Sequence, residues 1–105
     1  MADRDALLVL ADRVEREPPS QELDDAIGRA MLHTRLPGNA PPYQHYTTSL
    51  DAAVTLVPAS HAWRVGSGGW ADVHVRFKRW DGAADTPAAA LTAAALRAIA
   101  AQETT

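Results

Sequence analysis

The C-terminal part of the chain is an alanine-rich segment that begins with Thr86-Pro87. Threonine can cap the first backbone N–H groups of a helix, and proline suits the first helical position because its missing N–H leaves no bond unmade. The pattern predicts a helix from Pro87 to about Gln102, with Arg97 pointing away from the core. Its predicted apolar face consists of Ala88, Leu91, Thr92, Ala95, Leu96 and Ile99. Because alanine is short, neighbouring backbone can approach this helix closely.

The length of 105 residues predicts a single domain spanning 1–105, since two cores of half this size would each bury too little apolar surface. Hydrophobic residues make up 47% of the chain, but only 6% of residues are aromatic. Alanine therefore supplies much of the apolar content, and we expect a thin, closely spaced core.

Two helices are predicted before residue 32. The first begins at the N-cap Asp3 and ends near Glu17, because Pro18-Pro19 cannot continue it. The second begins at the N-cap Ser20, and Asp24-Asp25 are expected to be solvated acids near the positive end of its dipole. The apolar residues that recur at helical spacing are Leu7, Leu10, Ala11, Val14, Leu23, Ile27, Ala30 and Met31.

Residues 33–46 show no periodicity and are rich in proline and glycine, which predicts a loop. Long loops inside a compact domain are commonly functional or mobile, so this segment, with Tyr43 and His45, is one candidate binding surface. A third helix, of about two turns and closed by Pro58, follows it. Thr48 and Asp51 have the spacing of a capping box at its start.

A β-hairpin is predicted between residues 63 and 82. Its first strand contains Trp63 and Val65, and Ser67-Gly68-Gly69 forms the turn. In the second strand, which ends at Asp81-Gly82, two sets of side chains alternate. The buried set is Ala71, Val73, Val75 and Phe77, and the polar set is Asp72, His74 and Arg76.

The predicted order of elements is α-α-α-β-β-α, an α/β (α+β) layered sandwich with helices packed on a short antiparallel sheet. An isolated hairpin is only marginally stable in water, so we expect a further strand from residues 36–46 or from a partner chain. Pairing at the hairpin edge would produce a homodimer.

The composition excludes several classes of function. The absence of cysteine removes disulfide scaffolds and thiolate chemistry, and the net charge of −3 argues against general coating of nucleic acid. The N-terminus lacks the basic and apolar segments of a signal peptide, and no apolar stretch approaches the ~20 residues that span a bilayer. We therefore expect a cytoplasmic protein with no membrane partner.

No set of residues demands a particular reaction. Ser20 and Ser49 are explained by helix starts, and adjacent helical acids such as Asp24-Asp25 point apart rather than at one substrate atom. We interpret His45 and His74 as solvated. The four histidines of the chain lack the spacing of metal ligands. They are His33, His45, His61 and His74. We expect no enzyme activity, no metal and no cofactor.

Three tryptophans lie in or beside the hairpin, and tryptophan is enriched at protein-binding hot spots. Trp63 is assigned to the core, whereas Trp70 and His74 share the polar face of the second strand. We predict that Trp70 and His74, with Tyr43 and His45 of the loop, contact a protein partner. The alternative is a nucleic-acid site, in which cationic side chains meet phosphate and Trp80 stacks on a base. That set is Arg76, Lys78, Arg79 and Trp80. These residues could instead belong to an ordinary edge strand whose charges prevent pairing with another chain.

Four blocks of sequence together resemble a known family. They are ALLVLADRVE at 6–15, SQELDDAI at 20–27, YTTSLDAAVTLVP at 46–58 and ADTPAAALTAAAL at 84–96. In this order they resemble small phage and prophage proteins of α-proteobacteria described as carrying a phage ABA-sandwich domain. The resemblance implies an α/β/α layered sandwich and a phage-related origin, and it brings no catalytic residues with it.

Together these features lead us to expect a phage-encoded, non-enzymatic accessory protein that binds and inhibits or redirects a protein of the bacterial host. Inhibition of a defence nuclease, in the manner of an anti-CRISPR protein, is one form of that role. The alternative is a small phage protein that binds nucleic acid or a nucleotide.

Overall fold

A computed structural model of the chain describes residues 4–31 and 45–102. Within these ranges the chain forms four helices and three strands, which confirms the predicted α+β class and adds a strand. They are α1 (Arg4–Arg16), α2 (Gln21–Met31), α3 (Leu50–Val54), β1 (Ala62–Gly66), β2 (Trp70–Val75), β3 (Lys78–Ala83) and α4 (Pro87–Gln102). The predicted cap Asp3, the side chain of Met31, Tyr43 and most of the predicted loop lie outside the described residues.

Helix α4 is the central element of the described fold. It packs on β2 and β3 on one side and on α1 and α3 on others, and nearly all of its residues are buried. Its predicted start is confirmed, because Thr86 Oγ1 accepts the N–H of Ala89 at 3.0 Å. A helix that is contacted from several directions needs small side chains in each of them, which explains why alanine is not confined to one face.

Helix α4 lies directly against the backbone of β3 at Gly82. A Cβ atom added to Gly82 would lie 2.1 Å from the carbonyl oxygen of Ala90 and 2.9 Å from the nitrogen of Ala94. Gly82 therefore sets the distance between helix and sheet. Trp80, on the same face of β3, is half-buried and lines a depression of about 360 Å³ together with Leu8 and other residues of α1 and α4.

The three strands form an antiparallel sheet in the order β1-β2-β3. The face toward α4 is built by rows of paired residues, in which Val73 lies between Trp63 and Trp80, and Ala71 lies between Val65 and Gly82. No described helix covers the opposite face, so the sheet is an outer layer of the described fold. The phage-family resemblance instead implies a sheet between two helical layers.

Three predictions about the hairpin are wrong. The second strand does not continue through Phe77; it ends at Val75, and the chain reverses at Arg76-Phe77 to form β3. Phe77 is therefore not buried but fully exposed, at 103% of its reference area. Trp63 is not core either, at 38% exposure, because α4 covers β2 and β3 far more than β1.

The residues that cap the N-termini of α2 and α3 match the predicted ones only in part. Ser20 caps α2 as predicted, since its Oγ accepts the N–H of Leu23 at 3.1 Å. The N-cap of α3 is Ser49, which accepts from Ala52 at 3.3 Å, so the capping box of Thr48 is wrong. Helix α3 is also shorter than predicted and ends at Val54.

Asp24 of α2 is buried, and its interpretation as a solvated acid is wrong. Its Oδ1 accepts both the backbone N–H of Thr47 at 2.9 Å and the Thr47 hydroxyl at 2.8 Å. Two hydrogen bonds from one residue offset the cost of burying the carboxylate. The contact ties the turn at residues 45–48 to α2.

The outer edge of β3 is closed by side chains from α1 and α4. Arg97 does not point away from the core: its Nη1 donates to Glu15 Oε2 at 2.8 Å and to the carbonyl oxygen of Asp81 at 2.7 Å. Glu15 Oε2 also accepts the N–H of Ala83 at 2.8 Å. The hydrogen bond from Arg97 lowers the pKa of Glu15. Two backbone groups of the edge strand, the N–H of Ala83 and the carbonyl of Asp81, thus have side-chain partners.

None of the helices in the described ranges combines the length and apolar character that crossing a bilayer requires.

Candidate functional site: the open face of the sheet

The open face is the side of the sheet that α4 leaves uncovered. Alternation along the strands and the observed register place one set of side chains there. The set is Ala62, Arg64, Trp70, Asp72, His74, Arg79, Asp81 and Ala83.

Asp72 lies at the centre of the open face and is only 3% exposed. Its Oδ2 accepts from Arg64 Nη2 at 2.8 Å, and its Oδ1 lies 2.9 Å from His74 Nδ1. Burial opposes ionisation, but the hydrogen bonds from Arg64 and His74 outweigh it and lower the pKa of Asp72. The carboxylate is therefore charged at neutral pH and fixes the side chains on both sides of it.

His74 is an oriented side chain rather than the solvated imidazole that the sequence suggested. Nδ1 is the ring nitrogen that lies against Asp72, so Nε2 is the nitrogen left for another partner. The ring is partly exposed, so a bound molecule can reach it. The described residues hold no group of three or more His, Cys, Asp or Glu side chains that could bind a metal ion.

Trp70 is the largest apolar side chain on the open face. It is 45% exposed, more than Trp63, as the strand pattern predicts. Its indole lies over Gly66 of β1, where an added Cβ would come within 2.1 Å of the ring. The glycine thus provides the space in which the indole rests. Beside it, a depression of about 530 Å³ is lined by Arg64, Arg79 and Asp81 among others.

The charges of the open face are balanced. Arg64 is paired with Asp72 at 2.8 Å, and Arg79 Nε lies 3.1 Å from Asp81 Oδ1. The two arginines and the two aspartates of this surface carry equal and opposite formal charges.

The structure brings together only part of the predicted protein-binding set. Trp70 and His74 share the open face on the central strand. His45 lies beside α2 instead, with its Nδ1 3.6 Å from Asp24 Oδ2. Tyr43 is outside the described residues.

The predicted nucleic-acid set is divided by the pleat of β3. Arg79 lies on the open face, whereas Lys78 and Trp80 alternate to the other side, and Arg76 is in the turn. Trp80 is half-buried and packs on His61, with the ring centroids 5.7 Å apart. At most one face of the indole is therefore free for a base.

Sequence reasoning missed Asp72, Arg64 and Phe77. The pairing of Arg64 with Asp72 could have been predicted, because a turn at 67–69 that pairs Gly66 with Trp70 also pairs these two residues. The exposure of Phe77 could not have been predicted, because strict alternation from Ala71 assigns this residue to the buried face.

Comparison with known proteins yields no match to the chain among protein-family models, curated proteins or solved structures.

Proposed function

We propose that this chain is a non-enzymatic protein that binds another protein through the open face of its sheet, with Trp70 as the principal contact. The observation that carries the proposal is the fixed arrangement of exposed side chains on this face. Trp70 rests on Gly66, and Arg64 and His74 are both held by the buried Asp72. Side chains that are already ordered lose little conformational entropy when a partner binds.

The charge balance of the open face supports a protein partner over nucleic acid. Each arginine on this face already has a carboxylate partner, and a phosphate backbone would meet Asp72 and Asp81 as well as the cations. An exposed tryptophan beside arginines that are each paired with a carboxylate has the composition of a protein-binding hot spot. The resemblance to the phage family motivates the finer proposal that the partner is a host protein, such as a defence nuclease, which this chain inhibits or redirects.

The experiment compares Trp70→Ala with Trp63→Ala. Both variants remove a partly exposed tryptophan from the same sheet, but from opposite faces, so Trp63→Ala controls for lost aromatic area. The tagged protein is expressed in a bacterial host, cross-linked and captured, and the partner recovered at a stoichiometric amount is purified for titration calorimetry.

We expect wild type and Trp63→Ala to bind that partner alike, and Trp70→Ala to bind with a loss of about 2 kcal/mol or more, roughly 30-fold in Kd. Circular dichroism establishes that each variant is folded. The proposal fails if no stoichiometric partner is recovered, or if the two tryptophan variants lose the same affinity.

A further inference from the structure

A second surface lies at the turn between β2 and β3, formed by Arg76, Phe77 and Lys78 and called here the basic turn. We propose that the basic turn binds single-stranded nucleic acid, with Phe77 stacking on a base and Arg76 and Lys78 contacting the flanking phosphates. This site is separate from the open face, where Trp70 stands at the other end of β2.

Folding explains why the chain reverses at the basic turn, but it does not require an arginine and a phenylalanine there. Phe77 is fully exposed and contributes nothing to the core. Arg76 adopts a left-handed backbone with φ of 53°, at the first position of a two-residue hairpin turn where glycine, asparagine or aspartate fits with less strain. A strained backbone at Arg76 beside the exposed ring of Phe77 points to binding rather than to stability.

The cations of the basic turn are available to a ligand. Arg76 and Lys78 are exposed, and neither has an acidic partner within residues 4–31 and 45–102. Arg64, Arg79 and Arg97, in contrast, are each paired with a carboxylate. On each side of it in the turn, Phe77 therefore has a cation without a carboxylate partner in the described part of the chain.

The order of the three side chains favours single-stranded nucleic acid. In a single strand each base is flanked by a phosphate on both sides, and an exposed ring with a cation before and after it matches that order. Duplex DNA keeps its bases stacked inside and would offer only phosphates. Phe77 thus takes the role that the sequence pattern assigned to Trp80, which is half-buried.

The test is fluorescence anisotropy with labelled oligothymidine and oligouridine of about 12 nucleotides at low salt. Because Phe77 is fully exposed, its variants should fold, which circular dichroism checks. Phe77→Trp keeps a stacking ring, whereas Phe77→Leu keeps apolar area without one. Arg29→Gln, which removes an exposed cation of α2, is the control for net charge.

We expect Phe77→Ala and Phe77→Leu to weaken binding by roughly 5- to 150-fold, and Phe77→Trp and Arg29→Gln to bind as wild type. The double variant Arg76→Gln/Lys78→Gln should reduce the slope of log K against log salt by about 1.4, or ~0.7 for each phosphate contact.

Three results would overturn the proposal: no binding of either oligonucleotide at low salt, equal affinity of the leucine and tryptophan variants, or an unchanged salt slope in the double variant. If Phe77→Ala instead weakens only the protein complex of the open face, or only binding to vesicles of anionic lipid, the basic turn belongs to that partner.

Discussion

Replacing Gly82 with alanine tests whether backbone contact between β3 and α4 sets the spacing of the core. The new Cβ would lie 2.1 Å from the carbonyl oxygen of Ala90, about 1.3 Å short of the 3.4 Å at which ordinary contact begins. That oxygen belongs to the backbone of a packed helix rather than to a flexible side chain. The helix or the strand as a whole therefore has to move.

The magnitude follows from the size of that displacement. A gap of about 0.5 to 1 Å already forfeits a quarter to a half of the dispersion energy of a contact. Moving α4 away from β3 weakens its contacts with β2 as well, including those of Ala71 and Val73, which are buried on the helix side. We expect Gly82→Ala to lower the free energy of unfolding by about 3 kcal/mol or more, and Tm by roughly 12 to 24 °C.

The assay is thermal and urea unfolding, followed by far-ultraviolet circular dichroism and tryptophan fluorescence. Gly68→Ala is the matched control, since the nearest heavy atom to its new Cβ is 3.7 Å away in Trp70. We expect this control to change stability by no more than about 0.5 kcal/mol. A Gly82→Ala protein within about 1 kcal/mol of wild type would show that the helix and sheet are not held in close contact at this position.

Two further predictions concern polar contacts of α4. The hydrogen bond from Arg97 lowers the pKa of Glu15 below its ordinary value of 4.5, so this carboxylate stabilises the fold above about pH 4.5, and that stabilisation is lost as the pH falls through the lower folded pKa. Glu15→Gln should be less stable than wild type at about pH 7 but lose less stability between about pH 5 and 3 in urea unfolding; parallel pH profiles would contradict this. Thr86→Ala removes the cap of Ala89 at 3.0 Å and the bond to the carbonyl oxygen of Thr47 at 2.7 Å, and should cost about 1 to 3 kcal/mol. Thr86→Ser keeps the hydroxyl and should recover most of that loss in the same unfolding assay.

The helices and the first turn of the sheet were largely predictable because their signals are local. Thr86-Pro87 and Ser20 mark helix starts through hydrogen bonds made within one turn, and Pro18-Pro19 prevents continuation of α1 without help from the rest of the chain. The same is true of the glycine-rich turn at 67–69, which sets the register that pairs Arg64 with Asp72.

The third strand was not predictable from local pattern. Alternation continues unbroken through Arg76 and Phe77, and neither residue is a turn former. Reversal at this point lets Trp80 and Gly82 lie on the face that α4 covers, so packing outweighs the strain at Arg76. The exposure of Phe77 follows from the reversal.

What the sequence determined by itself is where α1 ends, where α2 and α4 begin and that α4 is rich in alanine, since each depends on residues close together in the chain. Only the tertiary structure decided that α4 would be packed on several sides rather than on one face. It also decided that Arg97 would donate a hydrogen bond to the backbone of β3 instead of facing solvent. It likewise decided that Asp72 would be buried although it lies on the face that α4 leaves uncovered. These outcomes depend on contacts between distant segments, and no local pattern encodes which carboxylate a distant arginine will meet.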